Sequence, residues 1–126
     1  MRAHLIFHVN DQSASRDFYR ATLDQNPTLD VPGMTEFSLG SGAVLGLMPL
    51  AGILRLLGDC LPEGFGRADG PPRAELYLVV EDAEAWHRRS LAAGAVELSP
   101  MALRDWGHRV AYSADPDGYV LAFAAE

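Results

Sequence analysis

HLIFHVND, residues His4–Asp11, and ELYLVVED, residues Glu75–Asp82, are the two stretches on which the fold turns. Each is a short alternation of aliphatic and aromatic residues closed by an Asp where a helix cap would satisfy free amides, so each predicts a strand running into a helix. Laid over one another, the two match in strand, alternation and capping Asp together. After Asp11, the residues Ala14, Phe18, Ala21 and Thr22 recur at helical spacing through about Leu23. After Asp82 a helix is expected over 83–93, with Gly94 as its terminator. Asn26, Pro27, Pro32 and Gly33 read as a connection, followed by strands at Thr35–Leu39 and Ala43–Met48 joined by the tight Gly40, Ser41, Gly42 turn. The far ends match as well: GAVLGLM from Gly42 lies over GYVLAFA from Gly118, each a turn glycine followed by an apolar strand. The chain therefore reads as an internal repeat of two βαβββ modules, about 1–48 and about 74–126, with one strand of the first module left open. Between them, about 49–73, lies a linker or lid that begins as a short apolar helix near Ala51–Leu57.

The size agrees with a single domain. A chain of 126 residues buries roughly two-thirds of its unfolded surface and leaves no room for a second full domain. A hydrophobic fraction of 48% beside 21% charged residues is globular rather than disordered or collagen-like. The formal charge is −7, and all ten basic residues are Arg, so no Lys-rich patch is present to neutralise phosphates and no nucleic-acid partner is expected. The longest apolar stretch, Ala43–Leu54, is too short for roughly 30 Å of hydrocarbon and is broken by Gly46, Pro49 and Gly52, so no membrane span is expected either. The first residues lack the pattern of a secretory signal, and the single Cys60 can form neither an internal disulfide nor a Cys-based zinc site; both favour a cytoplasmic location.

With the doubled βαβββ pattern, the DFY of the first helix, the DWGHR segment at 105–109 and the terminal DPDGYVLAF, the sequence resembles the vicinal oxygen chelate superfamily, the glyoxalase, bleomycin-resistance and extradiol-dioxygenase group. The resemblance spans nearly the whole chain. It implies an α+β fold in which each module curls a mixed sheet into half of a cup, and two modules pair around a cavity, within one chain or between the chains of a homodimer.

Strand parity says which side chains line such a cup. Alternate residues point to opposite faces, so Leu5, Phe7 and Val9, all apolar, face the helix, while His4, Ile6 and His8 face the cup. By the same parity Glu75, Tyr77 and Val79 face it from the second module, and Leu76, Leu78 and Val80 pack under the helix. In metal-dependent members the positions of His4 and Glu75, with one position on the last strand of each module, carry the metal ligands. Here the last two fall on Gly46 and Ala122, which have no ligating atom. A catalytic ion needs at least three protein donors, and His8, about 13 Å along the strand from His4, cannot share a site with it easily. A third ligand from His108 or Asp105 is the route left open.

Each candidate also has a structural reading. His4 and Glu75 can be a buried hydrogen-bonded pair, and His8 a satisfied wall residue. His87, beside Arg88 and Arg89, reads as a solvated surface residue, and Phe18 and Trp86 as core. Trp106 either covers a strand end or stacks on a ligand. Arg109 faces either the ligand or the turn carboxylates Asp115 and Asp117, and DPDG itself is turn chemistry. The expectation is a small-molecule-binding homodimer without a complete metal site, its ligand touched by His4, His8, Glu75, Tyr77, Trp106 and Arg109. The net charge favours a cationic ligand. The alternatives are a metal-dependent lyase, isomerase or dioxygenase that binds Ni, Zn, Fe or Mn through an altered ligand set around His4 and Glu75, and a non-catalytic dimeric interaction module.

Overall fold

A computed structural model of the protein describes residues 1–63 and 73–126. The chain divides into two compact units, Met1–Arg20 with Asp24–Ala68, and Ala21–Leu23 with Asp69–Glu126. Each contains one four-stranded mixed sheet, and the architecture is α+β with three α-helices.

In the first unit β1 (Ala3–Val9) leads into α1 (Gln12–Leu23), followed by β2 (Leu29–Val31), β3 (Met34–Gly40), β4 (Ala43–Pro49) and α2 (Leu50–Leu57). The sheet order is β1-β4-β3-β2, with β1 parallel to β4 and the rest antiparallel. Asp11 caps α1 by accepting a hydrogen bond from the Ala14 amide at 2.9 Å. The buried face of α1 is Ser15, Phe18, Tyr19, Thr22 and Leu23, whereas Ala14 and Ala21, expected on it, are exposed. Tyr19 lies between Phe7 and Phe37 at 6.4 and 6.5 Å, and Phe7, Val9, Phe37, Leu45 and Leu47 of the sheet are each at most 1% exposed. Leu5 shares that parity but lies partly exposed toward the edge of the layer.

The connection expected between Asn26 and Gly33 contains the missing strand, β2. The Gln12 side chain secures it: Nε2 donates to the Val31 carbonyl and the Thr35 hydroxyl, and Oε1 accepts from the Gly33 amide. A three-residue strand flanked by two prolines carries too little periodicity to be read locally. The next turn, Gly40-Ser41-Gly42, has positive φ at all three residues, which explains its two glycines. The linker or lid expected over 49–73 begins as α2 and a 3₁₀ turn at Gly58–Cys60, while residues 64–72 lie outside the described residues.

The second unit repeats the plan with β5 (Glu75–Val79), α3 (Ala83–Ala92), β6 (Val96–Leu103), β7 (Arg109–Ala114) and β8 (Val120–Ala125), in the order β5-β8-β7-β6. Asp82 caps α3 through the Ala85 amide, and Gly94 follows it at φ 112°. The sheet residues beneath this helix are Leu76, Ala111, Ser113, Leu121 and Phe123. Here the surface reading of His87 is corrected: it is 7% exposed, because Ala83, His87 and Ser90 form the inward stripe of α3. Its Nε2 lies 3.1 Å from Glu97 Oε2 and its ring 6.2 Å from that of Phe123. Trp86, expected in the core, is half-buried at its edge, with the Arg89 guanidinium 4.7 Å over its ring. Strand β6 is an edge of this sheet and is irregular, with Pro100 inside it and register shifts at Glu97/Ser99 and Ser99/Ala102.

Candidate functional site

The site residues stand on the sheet faces turned away from the helices, and the two faces differ in chemistry. In the first unit the ladder sets His4 beside Val44 and Ser38, and Ile6 beside Gly46 and Glu36. Nδ1 of His4 lies 3.5 Å from Oε1 of Glu36, whose side chain is 16% exposed. Between them Gly46 has no side chain, and a Cβ there would meet Ile6 Cγ1 at 3.2 Å and Met34 Sδ at 3.3 Å. The glycine therefore leaves room for side chains of the neighbouring strands. His8, in register with Met48 one row on, is partly buried, and burial holds its pKa below the ordinary imidazole value.

In the second unit Glu75 is in register with Val120, Tyr77 with Ala122 and Val79 with Ala124, while Tyr112 flanks Ala122 from the other side. Val110, Ala122 and Ala124 form a fully buried floor on which Tyr77 and Tyr112 pack. The small residues let the two phenol rings lie against the sheet. The hairpin between β6 and β7, closed by the Arg104 amide donating to the His108 carbonyl at 2.8 Å, brings three further side chains to this face. Trp106 Nε1 donates to Tyr77 Oη at 3.0 Å, and Tyr77 Oη lies 2.8 Å from His108 Nδ1. An indole N–H can only donate, so a Tyr77 hydroxyl that accepts from Trp106 and donates to His108 satisfies all three groups with a neutral imidazole. Trp106 nevertheless keeps 53% of its surface exposed.

Arg104 covers the other phenol, its Cζ 5.1 Å from the Tyr112 ring centroid. Its Nη2 donates to Ser99 Oγ at 2.7 Å and to the Val110 carbonyl at 2.9 Å. The Tyr112 phenol titrates above the ordinary tyrosine value; burial is the main cause, Glu75 and Tyr77 act in the same direction, and Arg104 opposes them.

Of the side chains expected to meet a ligand, the structure brings together Tyr77, Trp106 and Glu75 in the second unit, and His4 and His8 on one face of the first. Arg109 is elsewhere. It shares strand parity with Ala111 and with Ser113, whose hydroxyl meets Ser90 of α3, so it leaves β7 on the helix side and is exposed. Within the turn, Asp115 Oδ1 accepts from the amides of Asp117 and Tyr119 at 2.9 and 2.8 Å. His4 meets a carboxylate of its own sheet, Glu36, and Glu75 is exposed.

Glu36, Tyr112 and Arg104 were not legible as site residues. They belong to no motif: cross-strand register brings Glu36 near His4 and sets Tyr112 across Ala122 from Tyr77, and the hairpin carries Arg104 over Tyr112. The metal that the fold family implies finds an incomplete set of donors here. His4 and Glu36 are two donors, Gly46 and Ala122 offer none, and among the described residues no group of three or more His, Cys, Asp or Glu side chains converges.

Comparison with known proteins agrees with this architecture. A curated, uncharacterised protein of Mycobacterium bovis is 27% identical over 122 residues, 92% of this chain and 76% of that protein. The crystal structure of a glyoxalase-related enzyme from Fulvimarina pelagi superposes with a TM-score of 0.84 at 23% identity, covering 100% of this chain and 88% of that one. A glyoxalase/bleomycin resistance protein/dioxygenase family enzyme from Burkholderia phytofirmans gives 0.77 at 15% identity, covering 97% and 95%. Likeness at these identities establishes the fold alone. The family model of the Glyoxalase/Bleomycin resistance protein/Dioxygenase superfamily matches residues 2–123, and with its doubled sheet the chain belongs to that superfamily.

Proposed function

We propose that this chain binds a small molecule on the aromatic face of its second sheet, without the metal set used by metal-dependent members of the superfamily. The observation that carries this reading is the hydrogen-bonded run Trp106–Tyr77–His108 beside the Arg104–Tyr112 stack, built on the small-residue floor of Val110, Ala122 and Ala124. A half-exposed indole already fixed by its N–H offers apolar area to a ligand at little cost in side-chain entropy. The protein acts as a cytoplasmic homodimer in this reading, and analytical ultracentrifugation checks the oligomeric state.

The test is elemental analysis of untagged protein, followed by thermal melting with nickel, zinc, iron or manganese and with a panel of small aromatic compounds. No stoichiometric metal is expected. A bound compound should raise the melting temperature, since about a hundredfold excess over Kd adds about 2.7 kcal/mol of stability, and Trp106→Ala should abolish the shift. The His4–Glu36 contact favours a second reading, a metal-dependent lyase, isomerase or dioxygenase with an altered ligand set. A stoichiometric metal lost in His4→Ala would establish it in place of the first. A protein that takes up neither metal nor compound would instead be an interaction module.

A further inference from the structure

The net charge of −7 favours a cationic ligand, but the aromatic face of the second sheet is organised the other way. Its fixed cation is Arg104, whose hydrogen-bond acceptors are all neutral: the Ser99 hydroxyl and the carbonyls of Pro100 and Val110. Among the described residues no carboxylate pairs with it, and its Nε is buried without any acceptor. The Arg104 guanidinium lies over the Tyr112 ring with only neutral acceptors, so an anion arriving there would meet a cation that no carboxylate of the described residues already pairs. Its Nη1 is not among the buried unpaired atoms. The exposed Glu75 acts on Tyr112 in opposition to Arg104.

Tyr77 and Tyr112 stand on either side of Ala122, about 10 Å apart across two strand spacings. Trp106 and His108 gather at the Tyr77 end and Arg104 at the Tyr112 end. An aromatic ring carrying a carboxylate offers a group to each end, its ring to the exposed indole and its charge to the guanidinium.

We propose that the ligand of this face is an aryl carboxylate, with Trp106 as the ring platform and Arg104 as the charge-selecting residue. The proposal rests on the small-molecule reading above and fixes the charge of that ligand. The test is calorimetric titration of the full chain, at fixed ionic strength, with benzoate, benzyl alcohol and benzylamine, which share a ring and differ in charge. Benzoate should bind at least tenfold more tightly than the other two. Arg104→Met should remove that preference, and Glu75→Gln should tighten benzoate severalfold. Arg88→Gln, which changes net charge equally on the exposed side of α3, should leave it unchanged. The wild-type preference and the Glu75→Gln variant decide the question even where Arg104→Met folds poorly. Equal or tighter binding of benzylamine or benzyl alcohol, abolished by Trp106→Ala, overturns the charge assignment and leaves the binding face standing. Failure of all three compounds to bind, or binding indifferent to Trp106→Ala, overturns both.

Discussion

The two sheets share one backbone plan and carry opposite furnishings. In each, the first strand pairs parallel with the last in the same register: His4, Ile6 and His8 oppose Val44, Gly46 and Met48, while Glu75, Tyr77 and Val79 oppose Val120, Ala122 and Ala124. The row Ile6–Gly46–Glu36 therefore corresponds to Tyr77–Ala122–Tyr112. One unit presents imidazoles, a carboxylate and thioethers; the other adds phenols, an indole and a guanidinium to its own imidazole and carboxylate. The ladder and the layer beneath the helix hold the strands in place, and a side chain on the far face changes with little effect on either. A repeated module can thus retain its geometry while its two copies acquire different chemistry.

The layers beneath the helices differ too, which gives the largest expected effect. Phe37, fully buried, stands where Ser113 stands in the second sheet. Phe37→Ala should cost about 3–5 kcal/mol in chemical denaturation, whereas Ser113→Ala, which loses only the 3.1 Å contact with Ser90, should cost about 1 kcal/mol. Equal losses would mean that the two layers carry the same load. Next in size is the DPDG turn: Asp115→Ala leaves two amides without their acceptor and should cost about 1–3 kcal/mol. Arg109→Ala should stay within about 0.5 kcal/mol and leave ligand affinity intact. Any larger loss of affinity would return Arg109 to the site.

Glu97→Ala takes the partner from His87 and should cost about 1 kcal/mol, since Glu97 is itself partly exposed. The smallest effect is that of pH on His8. Its folded pKa lies below its unfolded value, so the unfolded state takes up the proton first and stability falls as pH drops below about 6.5. His8→Gln should flatten that slope in melts between pH 7 and 5. An unchanged slope would assign the acid sensitivity to other groups.

Much of the fold was written in local pattern. Alternation in β1 and β5, the capping Asp11 and Asp82, and the glycines at 40, 42 and 94 each act within a few residues, so each can be read without knowing what packs against it. The site was legible only in part, because its partners meet across strands. Tyr77 and Trp106 stand out by type and parity, but that Tyr77 bonds to both Trp106 and His108 follows from how the hairpin folds back. Glu36 reaches His4 from two strands away. His87 misled for a physical reason: the inward stripe of α3 is Ala83, His87 and Ser90, which has almost no hydrophobic signal, and its burial rests on polar partners in β6 and β7.

The irregular edge formed by β6 has a consequence for how this protein meets others of its kind. A straight outer strand with free amides is a template onto which a second chain can add, and repetition of that step builds fibrils. Here Pro100 removes one donor and the two register shifts break the spacing of the rest, even though Val96, Leu98 and Leu103 are exposed along it. One edge of the first sheet, β2, is only three residues long. These two edges are thus poor seeds for strand addition, and β6 can display its apolar side chains without offering a regular ladder beside them.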